Sequence, residues 1–229
     1  LVVLAVPVGA IASTLTAIAQ SLPSHALLID LGSTKQDVVD AAQQHLRPEQ
    51  WSQFVPCHPI AGKEKAGVRH AEAQLYAHRL TVITPMAQTH HDHIARAQAL
   101  WQAVGSRVHI AQADEHDRIY AAVSHTPHLL AFAAVNAIGQ QPDGDAMMAA
   151  AGPGFRDFTR IAASDPTVWR DILLTNRAMV LAQIAHFQAA LDQFTLAINR
   201  QDSAALQHLI TLAHDRRAPW TLGGGTGAD

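Results

Sequence analysis

The sequence predicts an α/β domain followed by an all-α domain. Two observations support this prediction: short runs of Val, Leu and Ile alternate with helix-like segments up to residue 111, and no convincing strand follows. Such alternation is typical of βαβ units and a mostly parallel sheet. We therefore expect domains over residues 1–111 and 112–217, with a mobile tail over residues 218–229.

Composition narrows the class of protein. The chain has 229 residues, 48% of them apolar, and a formal net charge of −3. This length and apolar content support a packed core and exclude global disorder, while the slight negative charge argues against a nucleic-acid binder. The single cysteine, Cys57, allows no internal disulfide and favours the cytoplasm. Histidine is unusually frequent, with 15 copies, most of which we expect at the surface or in packing positions.

The chain opens on an apolar run, LVVLAVPVGAIASTLTAIA. A signal peptide or a transmembrane helix is the alternative, but the run has no basic start and contains Pro7 and Gly9. We interpret it as a buried parallel strand over residues 1–6, a turn and a helix, because a strand covered on both faces is an unbroken apolar run. No membrane association is expected.

Four further strands are predicted along the first domain, in residues 26–30, FVPCHPIAG, residues 80–86 and RVHIAQA. A helix is predicted over QDVVDAAQQHL, whose apolar residues repeat at helical spacing. Another is predicted over DHIARAQALWQAVG, ended by Gly105. THHDH, at the start of this helix, is predicted to be solvated, with Asp92 favourable to the helix dipole.

The second domain starts with DEHDRIYAAVSHTPHLLAFAAVNAIG, which predicts one long apolar helix with a kink at Pro127. A polar, Gly-rich break follows over residues 140–154, and helices resume in residues 165–200 and in SAALQHLITLAHDRR. Asp165 and Pro166 indicate a helix start, with Asp as the cap and Pro at the first helical position.

Three polar turns follow predicted strands, at residues 6–8, 32–35 and 58–65. In open parallel sheets, ligands bind at the carboxyl ends of strands, where helix N-termini also point. Each turn alone is more simply a plain connecting loop, since Gly and Ser are common there. Three such turns on one rim of the sheet indicate a ligand site.

The helical part adds two candidate groups. His125 and His128 of SHTPH are three residues apart, so they share a helix face and could bind a metal. A packed core histidine is the simpler interpretation, because zinc sites use three or four ligands. Arg156 and Arg160 lie near aromatic residues and suit the capture of a carboxylate. Surface pairing with aspartates such as Asp157 is equally open.

The segments DLGSTK, HPIAGKEKAG, VSHTPH and GFRDFTRIAASDPTVWRD, in this order, resemble those of prephenate dehydrogenases and the related arogenate and cyclohexadienyl dehydrogenases. The resemblance covers nearly the whole chain. It implies a partial Rossmann-type NAD(P)-binding domain and a helical dimerisation domain through which two subunits form a homodimer. It also implies an enzyme of tyrosine biosynthesis. This enzyme would convert prephenate to 4-hydroxyphenylpyruvate with NAD or NADP, by hydride transfer and loss of carbon dioxide.

The same resemblance implies roles for individual residues. His58 looks like the catalytic histidine that takes the proton of the ring hydroxyl, and Ser33 like the serine that holds this hydroxyl and orients the histidine. The substrate-binding set would be Arg160, His128, Asp157, Trp169, Lys63 and Glu64. Within it, Arg160 would bind a carboxylate, Asp157 would orient the cluster and Trp169 would come from the partner subunit. The cofactor-binding set would be Ala5, Val6, Pro7 and Ser33, and no metal is implied.

One departure from the family affects the cofactor. The Gly-rich turn GxGxxG should lie on a first βαβ unit, which this sequence does not contain, and GGGTG at residues 223–227 neither follows a strand nor precedes a helix. We therefore expect a fragment of a longer product that binds NAD weakly. The alternatives are a non-catalytic module that binds an aromatic precursor and, less favoured, a histidine-based metal protein. The choices between prephenate and arogenate and between NAD and NADP stay open.

Overall fold

The computed structural model describes residues 1–62 and 68–221. The chain divides into two compact units, Leu1–Val180 and Leu181–Asp229. The first unit contains every strand of the described residues and all the candidate site residues that they include.

Strands and helices alternate in the first part of the chain. In order they are β1 (Val2–Leu4), α1 (Ile11–Ala19), β2 (Leu28–Asp30), α2 (Gln36–His45), α3 (Pro48–Trp51), β3 (Phe54–Val55), β4 (Cys57–Pro59), β5 (Leu80–Ile83), α4 (His91–Ala103) and β6 (Arg107–Ile110). Short 3-10 turns cover Val8–Ala10 and Val68–His70. The α/β organisation predicted from the apolar runs is confirmed, although the strands are shorter than predicted.

The strands form two three-stranded sheets. In the first, β1, β2 and β3 are parallel, with Leu4 opposite Asp30. In the second, β5 pairs parallel with β6 but antiparallel with β4. FVPCHPIAG, predicted as one strand, is thus two strands in different sheets, divided at Pro56. Proline has no N–H to donate to a continuous ladder, which accounts for the division.

Both faces of the first sheet are covered. Leu28 packs in one buried cluster with Leu15 of α1, whereas Ile29 packs in another with Trp101 of α4. Successive residues of a strand point to opposite faces, so helices cover both sides, as the unbroken apolar runs predicted. The opening run of the sequence forms β1 and α1. Among the described residues, no helix combines the length and the apolar character that a membrane span requires.

Helices alone follow residue 112 in the described chain. They are α5 (Ala113–Tyr120), α6 (Thr126–Gly139), α7 (Gly144–Ala149), α8 (Pro153–Thr159), α9 (Pro166–Thr175), α10 (Arg177–Asn199) and α11 (Ser203–Arg217), with a 3-10 turn over Arg160–Ala163. The predicted change to an all-α region is confirmed. The boundary between the two compact units lies within α10, so the second unit consists of most of α10 together with α11.

A π-helical segment, Ala121–His125, joins α5 to α6 without a break. The irregularity in the predicted long helix therefore lies in the turn before Pro127. Pro127 itself belongs to the first turn of α6. Because proline lacks an N–H and its ring crowds the carbonyl four residues earlier, the preceding turn widens.

Three local predictions are confirmed. The Asp165 carboxylate accepts hydrogen bonds from the backbone N–H of Thr167 and Val168, at 2.8 and 3.0 Å, and caps α9. Gly105 ends α4 with a φ of +83°, where a side chain would be strained. His90 is the exposed cap residue of α4, and Asp92 lies in its first turn.

Candidate active site

The candidate site is built where two of the predicted polar turns lie side by side. β1 and β2 are parallel neighbours and end at the same edge of the first sheet, so residues 6–8 and 32–35 share that edge. The third segment is joined to this edge because Asp30 Oδ1 accepts a hydrogen bond from the Cys57 N–H at 3.0 Å. Cys57 immediately precedes His58. The start of the third segment therefore lies beside this edge, although its strand, β4, belongs to the second sheet and not to the same rim as predicted.

His58 lies half-buried within β4 and not in a turn after a strand. The prediction that the polar turn begins at His58 was wrong by two residues, because Pro59 still pairs with Thr81 of β5. Because Cys57 and Pro59, the residues before and after His58, both pair with β5, the backbone of His58 is fixed. Lys63 and Glu64, predicted at the substrate, lie outside the described residues.

His58 begins a series of hydrogen bonds that ends at the N-terminus of α2. His58 Nδ1 lies 2.8 Å from His116 Nε2, and His116 Nδ1 lies 2.8 Å from Asp117 Oδ1. The Asp117 carboxylate also accepts hydrogen bonds from the backbone N–H of Lys35 and Gln36, at 2.8 and 2.9 Å. Asp117 thus satisfies two N–H groups at the start of a helix, where a negative charge is favourable.

The series assigns the imidazole protons. A carboxylate can only accept, so the proton of a neutral His116 is on Nδ1 and its Nε2 is the acceptor. His58 must then donate from Nδ1, which leaves a lone pair on Nε2. This nitrogen has no hydrogen-bond partner among the described residues. The arrangement can accept one proton at His58 Nε2.

Burial keeps these imidazoles uncharged at neutral pH. It lowers the pKa of His58 well below 6.5, and the charges of His116, Lys35 and His125 lower it further. Burial also lowers the pKa of His116, although Asp117 opposes this effect. The phenol of Tyr120, whose ring centroid lies 5.0 Å from that of His58, stays protonated because burial raises its pKa to about 12. His58 is therefore neutral and able to act as a base.

A second cluster contains three of the predicted substrate residues. The His128 ring stacks on Trp169 with 3.6 Å between centroids and 18° between planes, and its Nδ1 donates to the Ser124 carbonyl at 2.9 Å. Burial lowers the pKa of His128, and the positive charge of the exposed Arg160 lowers it further. An aromatic surface beside a guanidinium is suited to a carboxylate-bearing ring.

His125 lies between the two clusters. It is 1% exposed, and its Nδ1 lies 3.0 Å from Asn176 Nδ2, which also donates to the Asp117 carbonyl at 2.8 Å. Burial lowers the pKa of His125 to about 4. His125 interacts electrostatically with both His58 and His128, so both clusters belong to one region. The simpler interpretation, a packed core histidine, therefore describes His125.

The remaining predicted residues have varied positions. Ser33 is half-buried in the loop between β2 and α2, next to His125. Asp157 is exposed and pairs with Arg156 at 2.9 Å, an arrangement that the sequence left open as the alternative. The cofactor set Ala5, Val6 and Pro7 follows β1, with Ala5 and Pro7 exposed.

Within the described ranges, one group of side chains has metal-ligand spacing. It comprises the exposed His90, His91 and Asp92 at the start of α4. His90 already caps this helix, since its Nδ1 accepts a hydrogen bond from the Asp92 N–H at 3.3 Å. The predicted alternative, His125 with His128, belongs to no group of three or more such side chains among the described residues.

Sequence reasoning missed His116, Asp117 and Asn176 in the candidate site. His116 and Asp117 are nearly fully buried near the start of a helix that the sequence predicts as apolar. The sequence offers no distinct signal for them, because both stand in the polar run DEHDR, which is typical of a solvated helix start. Asn176, which ends α9, gave no signal either because its partners are 51 and 59 residues away.

Comparison with known proteins gives two family matches. The family model described as "Prephenate dehydrogenase, nucleotide-binding domain" matches residues 1–110. The model described as "Prephenate dehydrogenase, dimerization domain" matches residues 112–212. The matches meet where the predicted α/β region ends.

Individual relatives agree with these matches. A cyclohexadienyl dehydrogenase of Zymomonas mobilis is 34% identical over 204 residues, which are 88% of this chain and 69% of the relative. A prephenate dehydrogenase of Bacillus subtilis is 35% identical over 219 residues, which are 94% of this chain and 58% of the relative. The crystal structure of prephenate dehydrogenase from A. aeolicus with hydroxyphenyl propionate and NAD+ gives a TM-score of 0.87 at 32% identity, covering 94% of this chain and 74% of that chain. The chain thus spans 58 to 74% of the length of these three proteins.

Proposed function

The chain belongs to the prephenate dehydrogenase family, and on this premise we propose that it oxidatively decarboxylates prephenate to 4-hydroxyphenylpyruvate with NAD(P)+. The observation that carries the proposal is the hydrogen-bonded series from His58 through His116 to Asp117. It leaves His58 Nε2 as an unprotonated acceptor, which the oxidation of a hydroxyl-bearing carbon requires.

The residues at the edge of the first sheet fit the nicotinamide end of a dinucleotide. Exposed Ala5 and Pro7 present mainly backbone and small side chains beside the loop that contains Gly32 and Ser33. Gly32 is tightly packed, since a Cβ there would lie 2.9 Å from both Val8 and Asp30. We propose that Ala5, Val6, Pro7 and Ser33 hold the nicotinamide. When bound, NAD+ or NADP+ would supply the hydride acceptor.

His58 would supply the proton chemistry. The ring hydroxyl of prephenate would donate to His58 Nε2, which takes the proton as hydride leaves the carbon that bears the hydroxyl. His116 and Asp117 would stabilise the imidazolium and hold its orientation, as in catalytic triads. As carbon dioxide leaves and the ring becomes aromatic, His58 would return the proton to the phenolate oxygen. The reaction then releases no net proton.

We propose that Arg160 binds a substrate carboxylate beside the stacked rings of His128 and Trp169. The support is the electrostatic coupling between Arg160 and His128, and the link through His125 to His58. Trp169 stacks within its own chain. Its contribution across a dimer stays a prediction, as do the roles of Ser33 at the hydroxyl, Asp157, Lys63 and Glu64.

We also propose a homodimer formed through the helical region. On α10, four residues at helical spacing form an apolar stripe: Phe187, Leu191, Phe194 and Ile198. Leu191 and Ile198 are 52% and 60% exposed. Within the second unit, Ala197 is the one core residue among its described members, so this unit lacks an apolar core of its own. The name of the second family match, a dimerization domain, supports the same proposal.

The domain boundaries and the compartment are further proposals. The division into residues 1–111 and 112–217 is supported by the two family matches, which meet between residues 110 and 112. Cys57 is buried, and burial raises the pKa of its thiol to about 12. A single unreactive thiol is compatible with the cytoplasm, which we propose as the compartment.

Prephenate-dependent formation of NADH or NADPH, followed at 340 nm, tests the activity. It should be measured with this chain and with a version extended upstream, using prephenate or arogenate and NAD+ or NADP+. We expect prephenate turnover that His58→Asn abolishes with little change in substrate affinity. His109→Asn, an exposed histidine of β6, is the matched control. Full turnover in His58→Asn would contradict the assignment of the base, and faster turnover of arogenate would correct the substrate.

A further inference from the structure

Asp30 and Lys35 form a buried ion pair behind the candidate base. Asp30 ends β2 and Lys35 precedes α2; both side chains are 0% exposed, with 2.5 Å between Lys35 Nζ and Asp30 Oδ2. Asp30 Oδ2 also accepts a hydrogen bond from the Gly32 N–H at 2.7 Å. The two charges are therefore fully desolvated and well satisfied.

The pair binds the peptide groups on both sides of Cys57. Lys35 Nζ donates to the Cys57 carbonyl at 2.9 Å, and Asp30 Oδ1 accepts from the Cys57 N–H at 3.0 Å. That carbonyl belongs to the peptide bond that leads into His58. β4 is only three residues long, so its pairing with β5 alone is a short anchor. The ion pair adds two charge-assisted contacts at the residue before the base.

Lys35 also holds the other end of the hydrogen-bonded series. Its backbone N–H donates to Asp117 Oδ1 at 2.8 Å, while its ammonium holds the carbonyl next to His58. One residue therefore anchors both ends of the series that runs from His58 through His116 to Asp117. A shift of Lys35 would change the separation of the two ends and misalign the imidazoles between them.

Stability alone does not account for this pair. Burying two charges costs desolvation energy, and apolar side chains of similar volume often stabilise a protein equally well. The backbone N–H of Lys35 donates to Asp117, and its ammonium donates to Asp30 and to the Cys57 carbonyl, next to His58. A role in the geometry of the site explains why a lysine and an aspartate occupy this core position.

We propose that Asp30 and Lys35 are positioning residues that hold the His58 imidazole in its orientation and in the Nδ1–H form. The inference rests on the proposed function for its catalytic consequence, but the orientation of His58 can be measured without turnover. Other groups that act on His58 electrostatically or through ring contact come from the helices after β6, namely His116, Tyr120 and His125. Lys35 is the positive charge among these neighbours, and it opposes protonation of His58.

The test compares Lys35→Met with the double variant Asp30→Asn/Lys35→Met. Arg47→Met is the matched control, because Arg47 pairs with Glu49 at the surface, where both side chains are more than half exposed. Thermal unfolding reports stability. The ¹⁵N chemical shifts of the His58 ring report its tautomer, with the signals assigned by comparison with His58→Asn. Steady-state kinetics separates kcat from KM.

We expect Lys35→Met to lower the melting temperature, because it leaves the Asp30 carboxylate buried without its partner. The double variant should recover most of that stability. Although its stability is recovered, the double variant should populate both tautomers of His58, and its kcat should be reduced about tenfold or more with KM little changed. Arg47→Met should resemble the unchanged protein in all three measurements.

A folded double variant with a single Nδ1–H tautomer and an unchanged kcat would overturn the proposal. A double variant that does not fold would also contradict it, because the pair would then be needed for folding itself. Absence of prephenate oxidation in the unchanged protein would overturn the proposed function instead. In that case the tautomer measurement would still decide whether the pair positions His58.

Discussion

His116 Nε2 lies 2.8 Å from His58 Nδ1, although 58 residues separate the two histidines in the chain. The contact joins a strand of the α/β region to the first helix of the all-α region. Because Asp117 accepts the proton on the far side of His116, the contact has one direction, with His58 as the donor. The base of the proposed reaction thus depends on a residue of the helical region.

Replacing His116 by Leu should therefore impair turnover more than binding. The change removes the acceptor for the His58 Nδ1–H, so His58 is free to carry its proton on Nε2, where it is unable to act as a base. We expect kcat to fall about a hundredfold while KM stays within a few fold. Steady-state kinetics with prephenate checks this.

His116→Gln and His109→Leu are the controls for that experiment. Glutamine can still accept a hydrogen bond from His58, so it should recover part of the lost rate. His109 is an exposed histidine of β6, and its replacement should leave kcat unchanged. If His116→Leu retains the original kcat, the hydrogen bond to His58 has no catalytic role.

Much of the fold was predictable because apolar burial is local in the sequence. The LVVLAV run contains β1, which packs in one buried cluster with residues of α1 and β2. The Asp165 cap of α9 was predictable because the groups that it binds lie within three residues of it. The antiparallel pairing of β4 was not predictable in this way. It arises from the break at Pro56 and from a partner, β5, more than 20 residues along the chain.

The candidate site was predictable only in part, for a related reason. His58 and Ser33 were identified by resemblance, and the structure places both near His125. His116 and Asp117 become functional only through contacts with residues 58 and 35, which no periodicity in the sequence encodes. Within the polar run DEHDR, nothing in the sequence distinguishes these two buried residues from their exposed neighbours.

Acid should destabilise the protein through its buried histidines. Burial lowers the pKa of His125 to about 4, below the value near 6.5 in the unfolded chain, so the unfolded state binds more protons between these values. The free energy of unfolding should therefore fall as the pH decreases from about 6.5 to 4, by roughly 3 kcal/mol from His125 alone. Urea unfolding at a series of pH values measures this loss.

The contribution of His125 can be isolated with His125→Gln, in which the amide oxygen can still accept from Asn176. This variant should lose less stability between pH 6.5 and 4 than the unchanged protein. The lowered pKa values of His58, His116 and His128 should leave it some acid sensitivity. Burial raises the pKa of Asp37, so this residue makes the protein more stable as the pH falls. Its effect is the same in both proteins and does not alter their comparison. An identical pH dependence in the two proteins would show that His125 is not responsible.

A charge on the apolar stripe of α10 should dissociate the proposed dimer. Leu191 is 52% exposed in the single chain, and Leu191→Glu would bury a carboxylate without a partner in an apolar interface. Sedimentation velocity should show a monomer for this variant and a dimer for the unchanged protein. Val104→Glu, at a 44% exposed position of the α/β region, should stay dimeric. A dimer that persists in Leu191→Glu would exclude the stripe as its interface.

Arg160 and Arg156 allow the carboxylate assignment to be decided by a direct comparison. Arg160 acts electrostatically on His128 beside Trp169, whereas Arg156 pairs with Asp157 at the surface. Arg160→Ala should raise KM for prephenate about ten- to a hundredfold, since a charge-assisted hydrogen bond contributes about 1.5–3 kcal/mol. Its kcat should change much less, because the guanidinium binds substrate and transition state alike. Arg156→Ala should change KM less than threefold. If KM rises more in Arg156→Ala than in Arg160→Ala, Arg156 is the residue that binds the carboxylate.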